Sequence, residues 1–125
     1  MEVLVVDDEP AVRTVLNLSL GKAGHRVTLC DNGSAALDLL SQSTPAIALI
    51  DLSLPKVQGM TVLAAVRAAK PDLPIIVISG RLPEFDATML EREGMTPQNG
   101  VYCLAKPFTG QQLQRLMQDA LAWRG

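Results

Sequence analysis

The sequence is poor in aromatic residues, histidine and cysteine. It contains one tryptophan, one tyrosine, two phenylalanines and one histidine, although 48% of its residues are apolar. Its core must therefore be built mainly from aliphatic side chains and methionine. Two cysteines are too few for the disulfide framework of a small secreted scaffold, so that class of protein is excluded.

The sequence also lacks basic clusters and long apolar runs. Its formal net charge is -2, and lysine and arginine do not gather into a stripe, so direct binding to nucleic acid has little electrostatic support. No apolar run approaches the roughly eighteen residues that a membrane-spanning helix needs. The N-terminus shows no signal-peptide pattern. We expect a cytoplasmic protein with no membrane insertion, folded as a single domain over residues 1–125.

Five short apolar runs alternate with segments of helical periodicity. The runs cover roughly residues 2–6, 26–30, 46–50, 74–78 and 100–104. They are nearly continuous in valine, isoleucine and leucine, which is typical of strands that are covered on both faces. The alternation predicts right-handed parallel crossovers and an α/β sheet with helices on both sides.

Apolar residues spaced three and four apart predict the buried faces of four helices. These faces comprise Val12, Val15, Leu16 and Ser19 or Leu20; Ala36, Leu37 and Leu40; Met60, Leu63 and Val66; and Leu113, Leu116, Met117, Ala120 and Leu121. Pro10 and Thr109 suit the starts of the first and last helices. Between Ser79 and Lys106 we expect a short fourth helix, with Phe85, Met89 and Leu90 toward the core, and then a longer loop.

Polar residues follow four of the predicted strands. Asp7 and Asp8 follow the first strand, Asp51 the third, Ser79 the fourth and Lys106 the fifth. The carboxyl ends of parallel strands share one edge of the sheet, which is where sites form in such folds. We therefore expect three carboxylates, one hydroxyl and one amine to converge there.

Each of these residues alone has an ordinary structural explanation. An acidic residue at a helix N-terminus adds about 0.3–1 kcal/mol, and most lysines lie at the surface. Asp7 and Asp8, however, repel each other unless a cation lies between them, and their oxygens suit Mg²⁺ or Mn²⁺. The Asp51 carboxylate can attack phosphorus to form an acyl phosphate, and the ammonium of Lys106 can neutralise the resulting charge.

Over essentially its whole length, the sequence resembles the receiver domains of bacterial two-component response regulators. The resemblance rests on Val5-Val6-Asp7-Asp8-Glu9-Pro10, on Asp51-Leu52-Ser53-Leu54-Pro55 with Gly59, on Ile78-Ser79-Gly80 and on Lys106-Pro107-Phe108. It implies a flavodoxin-like, doubly wound sheet of five parallel strands in the order 2-1-3-4-5. In that order Cys30 and Cys103 lie on opposite edges, about 19 Å apart, so we expect both to be reduced.

The resemblance also implies roles for the residues at the strand ends. Asp51 would accept a phosphoryl group from a sensor histidine kinase, a phosphotransfer domain or a small donor such as acetyl phosphate. Asp7, Asp8, Asp51 and the backbone carbonyl of Ser53 would bind Mg²⁺ or Mn²⁺, with Asp8 the more direct ligand of the first pair.

Further positions would act on the phosphoryl group once it has arrived. Ser79 and Lys106 would contact the phosphoryl oxygens, and Ser53 and Arg81 would tune how long the phosphate survives. An unidentified downstream partner would bind the surface of the fourth helix, the fifth strand and the fifth helix.

Two features depart from the family pattern. Cys103 stands where the family usually has an aromatic residue, and the neighbouring Tyr102 should face the other side of the sheet. The interval from Ser79 to Lys106 is also several residues longer than is common. These two departures leave open a second interpretation, in which the chain is a degenerate receiver that serves only as a phosphorylation-independent protein-interaction module. A receiver with these features is also similar to those attached to hybrid sensor kinases or acting as stand-alone relays.

A metal-dependent phosphohydrolase with an aspartate nucleophile is a third interpretation. Such enzymes usually carry a second aspartate two residues after the nucleophile, where this sequence has Ser53. A nucleotide-binding protein is also disfavoured, because Asp7-Asp8-Glu9 would repel a phosphate and no glycine-rich cradle is present. We expect no enzymatic activity beyond the protein's own phosphorylation and dephosphorylation.

Overall fold

Strands and helices alternate along the chain. The computed structural model describes residues 1–52, 56–80 and 83–123, and only the backbone for 56–58 and 83–86. The strands are β1 (Glu2–Val6), β2 (Arg26–Cys30), β3 (Ile47–Asp51), β4 (Ile75–Ser79) and β5 (Val101–Ala105). The helices are α1 (Pro10–Lys22), α2 (Gly33–Gln42), α3 (Lys56–Ala69), α4 (Pro83–Arg92) and α5 (Gly110–Leu121), with a short 3-10 helix at Pro97–Asn99.

All five strands are parallel and lie in the order β2-β1-β3-β4-β5. The predicted fold class and strand order are therefore confirmed. The last three strands begin and end one residue later than expected, because Asp51 still pairs with Ile78 and Ser79 still pairs with Ala105. This one-residue extension places Asp51 and Ser79 inside the rigid sheet rather than in the loops that follow it.

Alternate residues of the strands fill two apolar layers, one on each face of the sheet. Val3 and Val5 belong to the layer beneath α1 and α5. Leu4 and Val6 belong to the layer beneath α2 and α3, where Leu90 of α4 is also buried. Helices cover both faces, which explains why β1, β3 and β4 show no polar alternation.

Side chains define the starts of several helices. Pro10 is the first residue of α1, as predicted. The side chain of Asn32 accepts a hydrogen bond from the Ala35 backbone N–H at 2.8 Å. Thr109 accepts one from Gln112 at 3.1 Å, and the Gln112 side chain accepts one from the Thr109 N–H at 2.9 Å. This reciprocal capping box satisfies two N–H groups that the helix itself leaves unpaired.

The apolar stripes of α2, α3 and α5 are confirmed, but that of α1 is partly wrong. Leu16 and Leu20 are fully buried, whereas Val15 is 59% exposed. Val12, Leu16 and Leu20 follow each other at four-residue steps along one line of the helix, and Val15 lies to the side of that line. A predicted apolar face that includes residues both three and four positions apart therefore overestimates how much of α1 is buried.

The region between Ser79 and Lys106 follows the expectation of a short helix and a longer loop. Helix α4 ends at Arg92, and the 3-10 helix precedes β5. Leu90 is buried and Met89 is half-buried, while the side chain of Phe85 lies outside the described residues.

Trp123 packs at the end of the sheet at which β5 begins. Its indole Nε1 donates to the Gln98 carbonyl at 3.2 Å. The ring lies against Gly100, where a methyl group would collide with it. The guanidinium of Arg67 lies 5.2 Å from the ring centroid, within the range of a cation–π contact. The C-terminal end of α5 is thereby tied to α3 and to the loop before β5.

Cys30 and Cys103 form no disulfide, as predicted, because they lie on β2 and β5 at opposite edges of the sheet. Among the helices of the described chain, none has the length and apolar content to cross a bilayer.

Candidate functional site

Main-chain hydrogen bonds bring the carboxyl ends of the strands to one edge. The Asp7 N–H donates to the Cys30 carbonyl at 3.0 Å, and the Lys106 N–H donates to the Ser79 carbonyl at 2.8 Å. These bonds continue the ladders of β1 with β2 and of β4 with β5 by one residue. Residues that are far apart in sequence are therefore held at a common edge by the sheet itself.

Asp51 and Lys106 form an ion pair at this edge. The Asp51 side chain is fully buried, and the Lys106 side chain is 20% exposed. The Lys106 Nζ donates to Asp51 Oδ2 at 2.7 Å, a charge-assisted hydrogen bond. The pair joins residues 55 positions apart, as the strand-end argument predicted.

Asp7 is also buried, and its carboxyl group lies beside that of Asp51. One oxygen, Oδ1, accepts a hydrogen bond from the Glu9 N–H at 2.8 Å. The other, Oδ2, is buried and receives no donor from the described residues when both carboxyls are ionised. Burial and the adjacent Asp51 raise the pKa of Asp7 to about 7, so the two carboxyls can share one proton when no cation is bound.

Glu9 completes a group of three carboxylates. Oxygen atoms of Asp7, Glu9 and Asp51 all lie within 4.8 Å of one another. Glu9 Oε1 is 3.5 Å from the Lys106 Nζ. Although Glu9 precedes the first residue of α1, its side chain makes no capping hydrogen bond. Our interpretation of the sequence gave Glu9 no role, and its only signal was its position directly after Asp7-Asp8.

The ammonium of Lys106 faces more than one carboxylate. Partial burial alone would lower the pKa of Lys106, but the hydrogen bond and charge of Asp51 more than offset it. Asp7 and Glu9 act in the same direction, so the pKa of Lys106 is raised. The side chain therefore remains a cation at neutral pH, where it can pair with the carboxylates.

The remaining predicted site residues fall in three places. Ser79 is fully buried at the end of β4, next to the backbone of Lys106. Asp8 is exposed and is not part of the carboxylate group, so its role as the more direct metal ligand stays a prediction. Ser53 and Arg81 lie outside the described residues.

The geometry of this edge fits a divalent cation. When Asp7 is ionised, three carboxylates face one ammonium, and Asp7 Oδ2 has no donor from the described part of the chain. Hard carboxylate oxygens are the ligands that Mg²⁺ and Mn²⁺ prefer. A cation between Asp7 and Asp51 would relieve their repulsion and occupy the unpaired oxygen.

The neighbouring edge strand differs from the family pattern as expected. Cys103 is exposed, whereas Tyr102 packs into the layer beneath α1 and α5. The two side chains thus lie on different sides of β5, and the aromatic ring is not available at the position of Cys103.

Comparisons with known proteins agree with this geometry. A family model described as the response regulator receiver domain matches residues 3–118. The response regulator MprA of Mycobacterium sp. strain KMS is 34% identical over 121 residues, which cover 97% of this chain. The chain spans about half the length of this relative and of the MprA protein of strain JLS, which it matches equally well.

Two solved receiver domains match nearly the whole chain. That of NtrX from Brucella abortus is 26% identical with a TM-score of 0.84, covering 98% of this chain and 99% of that one. The receiver domain of the sensor histidine kinase PA1611 from Pseudomonas aeruginosa is 30% identical with a TM-score of 0.81, covering 98% of each chain. Its structure has a magnesium ion coordinated in the active site cleft. By family match, fold and the acidic edge of its sheet, the chain belongs to the receiver domains of two-component response regulators.

Proposed function

We propose that Asp51 accepts a phosphoryl group in a Mg²⁺-dependent reaction and that the phosphorylated domain changes its affinity for a partner. The observation that carries this proposal is the buried Asp51 carboxylate, held 2.7 Å from the Lys106 ammonium and beside Asp7. The end of β3 fixes the Asp51 carboxylate in position, and the compact ammonium of Lys106 can pair with the negative charge of an added phosphoryl group.

The metal would be held by Asp7 and Asp51, with Glu9 or Asp8 and the Ser53 carbonyl completing the set. A bound Mg²⁺ or Mn²⁺ would neutralise the carboxylates and polarise the incoming phosphoryl oxygens. The structure of the PA1611 receiver domain, which contains magnesium, supports this assignment.

The chain's own residues would carry out the transfer and hold its product. An oxygen of Asp51 would attack phosphorus, and the bond from phosphorus to the donor's nitrogen or oxygen would break, with the electron pair leaving on the donor. The product is an acyl phosphate. Lys106 would then pair with a phosphoryl oxygen, and the Ser79 hydroxyl would donate a hydrogen bond to another.

The partners follow from this chemistry and from the family. The phosphodonor would be a sensor histidine kinase or a phosphotransfer domain. Phosphorylation adds about -1.5 to -2 charge units and three strong acceptors, which would shift β4, β5 and the helices beside them toward a second packing. A downstream protein would read this change at α4, β5 and α5. We place the reaction in the cytoplasm and assign the chain no other enzymatic activity.

Intact mass measurement tests the central step. The protein is incubated with Mg²⁺ and acetyl phosphate, and we expect it to gain the mass of one phosphoryl group. The gain should vanish in Asp51→Asn and without divalent cation, and it should persist in the control Asp38→Asn, which alters an exposed carboxylate of α2. No gain in the unmodified chain, or a gain that persists in Asp51→Asn, would contradict the proposal.

A phosphorylation-independent interaction module is the second candidate. The observation in its favour is that Cys103, an exposed thiol, replaces the usual aromatic residue on the partner surface. In that case a partner would bind the Asp51→Asn variant and the phosphorylated protein with equal affinity.

A further inference from the structure

Arg13 connects helix α1 to the acidic edge of the sheet. It lies one helical turn after Glu9, whose carbonyl accepts its backbone N–H at 3.1 Å. Its side chain turns back toward the loop, and Nη1 donates to the carbonyl of Asp7 at 2.7 Å. The guanidinium thus bonds the main chain of an acidic residue and not its carboxylate.

The hydrogen bonds of Asp7 show what this contact does. The Asp7 N–H is bound to Cys30 of β2 at 3.0 Å, and Oδ1 is bound by the Glu9 N–H at 2.8 Å. Arg13 binds the remaining main-chain group, the carbonyl. Three bonds, from β2, from the loop and from α1, therefore fix the residue in place. Of the three partners, Arg13 alone contributes a side-chain group. Among the described residues, the Asp7 oxygen that receives no hydrogen bond is Oδ2.

We infer that Arg13 is a positioning residue, which holds the Asp7 backbone so that Oδ2 points at the space beside Asp51 where a divalent cation would bind. This inference rests on the proposed function of that edge. Without the guanidinium, the Asp7 carbonyl loses its donor and the peptide that follows it can rotate. The carboxylate would then spend less time in the binding orientation. Loss of a group that orients a metal ligand typically weakens metal binding about 10–100-fold.

Simple electrostatics predicts the opposite result, and this makes the inference testable. Arg13 is a cation close to an anionic pocket, so its charge alone should oppose the binding of another cation. Removing that charge should strengthen Mg²⁺ binding if Arg13 acts only through its field. Removing the guanidinium should weaken Mg²⁺ binding if Arg13 acts by holding the Asp7 carbonyl.

Calorimetric titration of the metal-free protein with MgCl₂ separates the two effects. Arg13→Gln removes both charge and guanidinium, and Arg13→Lys keeps the charge but loses the planar fork. Arg26→Gln is the matched control, since Arg26 is 82% exposed and lies at the opposite end of the strands. We expect the Kd for Mg²⁺ to rise about 10-fold in Arg13→Gln and severalfold in Arg13→Lys, with no change in Arg26→Gln.

A second measurement separates positioning from general damage to the site. The rate of phosphorylation by acetyl phosphate is measured against Mg²⁺ concentration. Arg13→Gln should shift the half-saturating concentration by the same factor as the Kd, while the rate at saturating Mg²⁺ stays within about twofold. If Arg13→Gln does not fold, Arg13→Lys decides the question alone.

Several results would overturn the inference. These are tighter or unchanged Mg²⁺ binding in Arg13→Gln, unchanged binding in Arg13→Lys, or a lower maximal rate with an unaltered Mg²⁺ dependence. If the unmodified protein binds Mg²⁺ but takes no phosphoryl group, the proposed function fails while the titration still tests Arg13.

Discussion

Asp7 and Asp51 form a pair of buried carboxyl groups. In the metal-free protein, the described residues do not fully neutralise their negative charge. Lys106 bonds Asp51, whereas Asp7 Oδ2 receives no donor from the part of the chain that the structure describes. Burial and the neighbouring carboxyl raise the pKa of Asp7 to about 7. Such an arrangement lowers stability without ligand and is expected where a site must receive a cation.

Asp7→Asn should therefore stabilise the metal-free protein. The asparagine is neutral and its amide can donate to Asp51, so we expect the free energy of unfolding at pH 8 in EDTA to rise by about 1–3 kcal/mol. The same variant should lose most of the stabilisation that Mg²⁺ gives the unmodified protein. Urea denaturation with and without MgCl₂ measures both quantities.

The control for this experiment is Asp38→Asn, which removes a charge from an exposed position of α2. It should change the free energy of unfolding by less than about 0.5 kcal/mol. If Asp7→Asn destabilises the metal-free protein instead, the carboxyl pair is not the unfavourable contact that its geometry indicates.

The strand-end residues of the site could be predicted from sequence, but those at the start of α1 could not. Asp51, Ser79 and Lys106 follow apolar runs, and a parallel sheet must bring such positions together. Glu9 and Arg13 reach the site through side-chain directions at a helix start. Those directions depend on how α1 leaves the loop, which no periodicity in the sequence encodes. The exposure of Asp8 has the same origin.

Helix α2 lies against α3 at Gly33. A methyl group there would overlap the side chain of Val62. Gly33 is the first residue of α2, so the absence of a side chain sets how near α2 can lie to α3. The packing of the two helices against each other, above the apolar layer that they share, therefore depends on a glycine at this position.

Gly33→Ala should destabilise the protein by about 1–3 kcal/mol, because the added methyl group overpacks the contact. Gly33→Ala combined with Val62→Ala should recover part of that loss, since the smaller side chain makes room. Thermal or urea unfolding of the single and double variants gives the coupling energy, which we expect to be favourable.

Gly21 in α1 supplies the matched control. A methyl group there meets no atom of the described structure within 4 Å, so Gly21→Ala should stabilise the helix by about 0.5–1 kcal/mol. Additive effects of Gly33→Ala and Val62→Ala would show that the two residues do not limit each other.

At the level of elements, burial on both sides made the strands easy to predict and the faces of α1 harder. Five runs of aliphatic residues admit few arrangements other than a covered parallel sheet. Val15 was predicted to face the core but is 59% exposed, because the buried face of α1 is narrow and follows Leu16 and Leu20. The width of the buried face of a helix depends on the elements that pack against it, not on the spacing of its own apolar residues.

The stability of the whole molecule should depend on pH through Asp7. The pKa of this carboxyl rises from its ordinary value of 3.8 to about 7 in the folded state, so the folded protein binds the proton more tightly. The stability that this proton contributes is complete below the unfolded pKa and is lost as the pH rises through about 7. Lys106, whose pKa is raised from 10.5, stays charged over that interval.

We therefore expect the metal-free protein to unfold at a lower temperature at pH 8 than at pH 5.5. Saturating Mg²⁺ at pH 8 should reverse most of this loss, because it takes the place of the proton. Differential scanning calorimetry in EDTA and in MgCl₂ measures the effect. Asp7→Asn serves as the reference, and a pH dependence as steep in that variant as in the unmodified chain would assign the titration to another group.

The contact of Trp123 with Gln98, Gly100 and Arg67 lies at the end of the sheet where β5 begins. Five residues of strand, about 17 Å, separate that end from the acidic edge. Since this is the only tryptophan in the sequence, its fluorescence will change when the C-terminal end of α5 detaches or the chain unfolds, whereas a metal ion at the distant edge will change it little. The molecule thus carries an optical reporter of folding and of movement at the end of α5, which does not sense a bound metal ion directly.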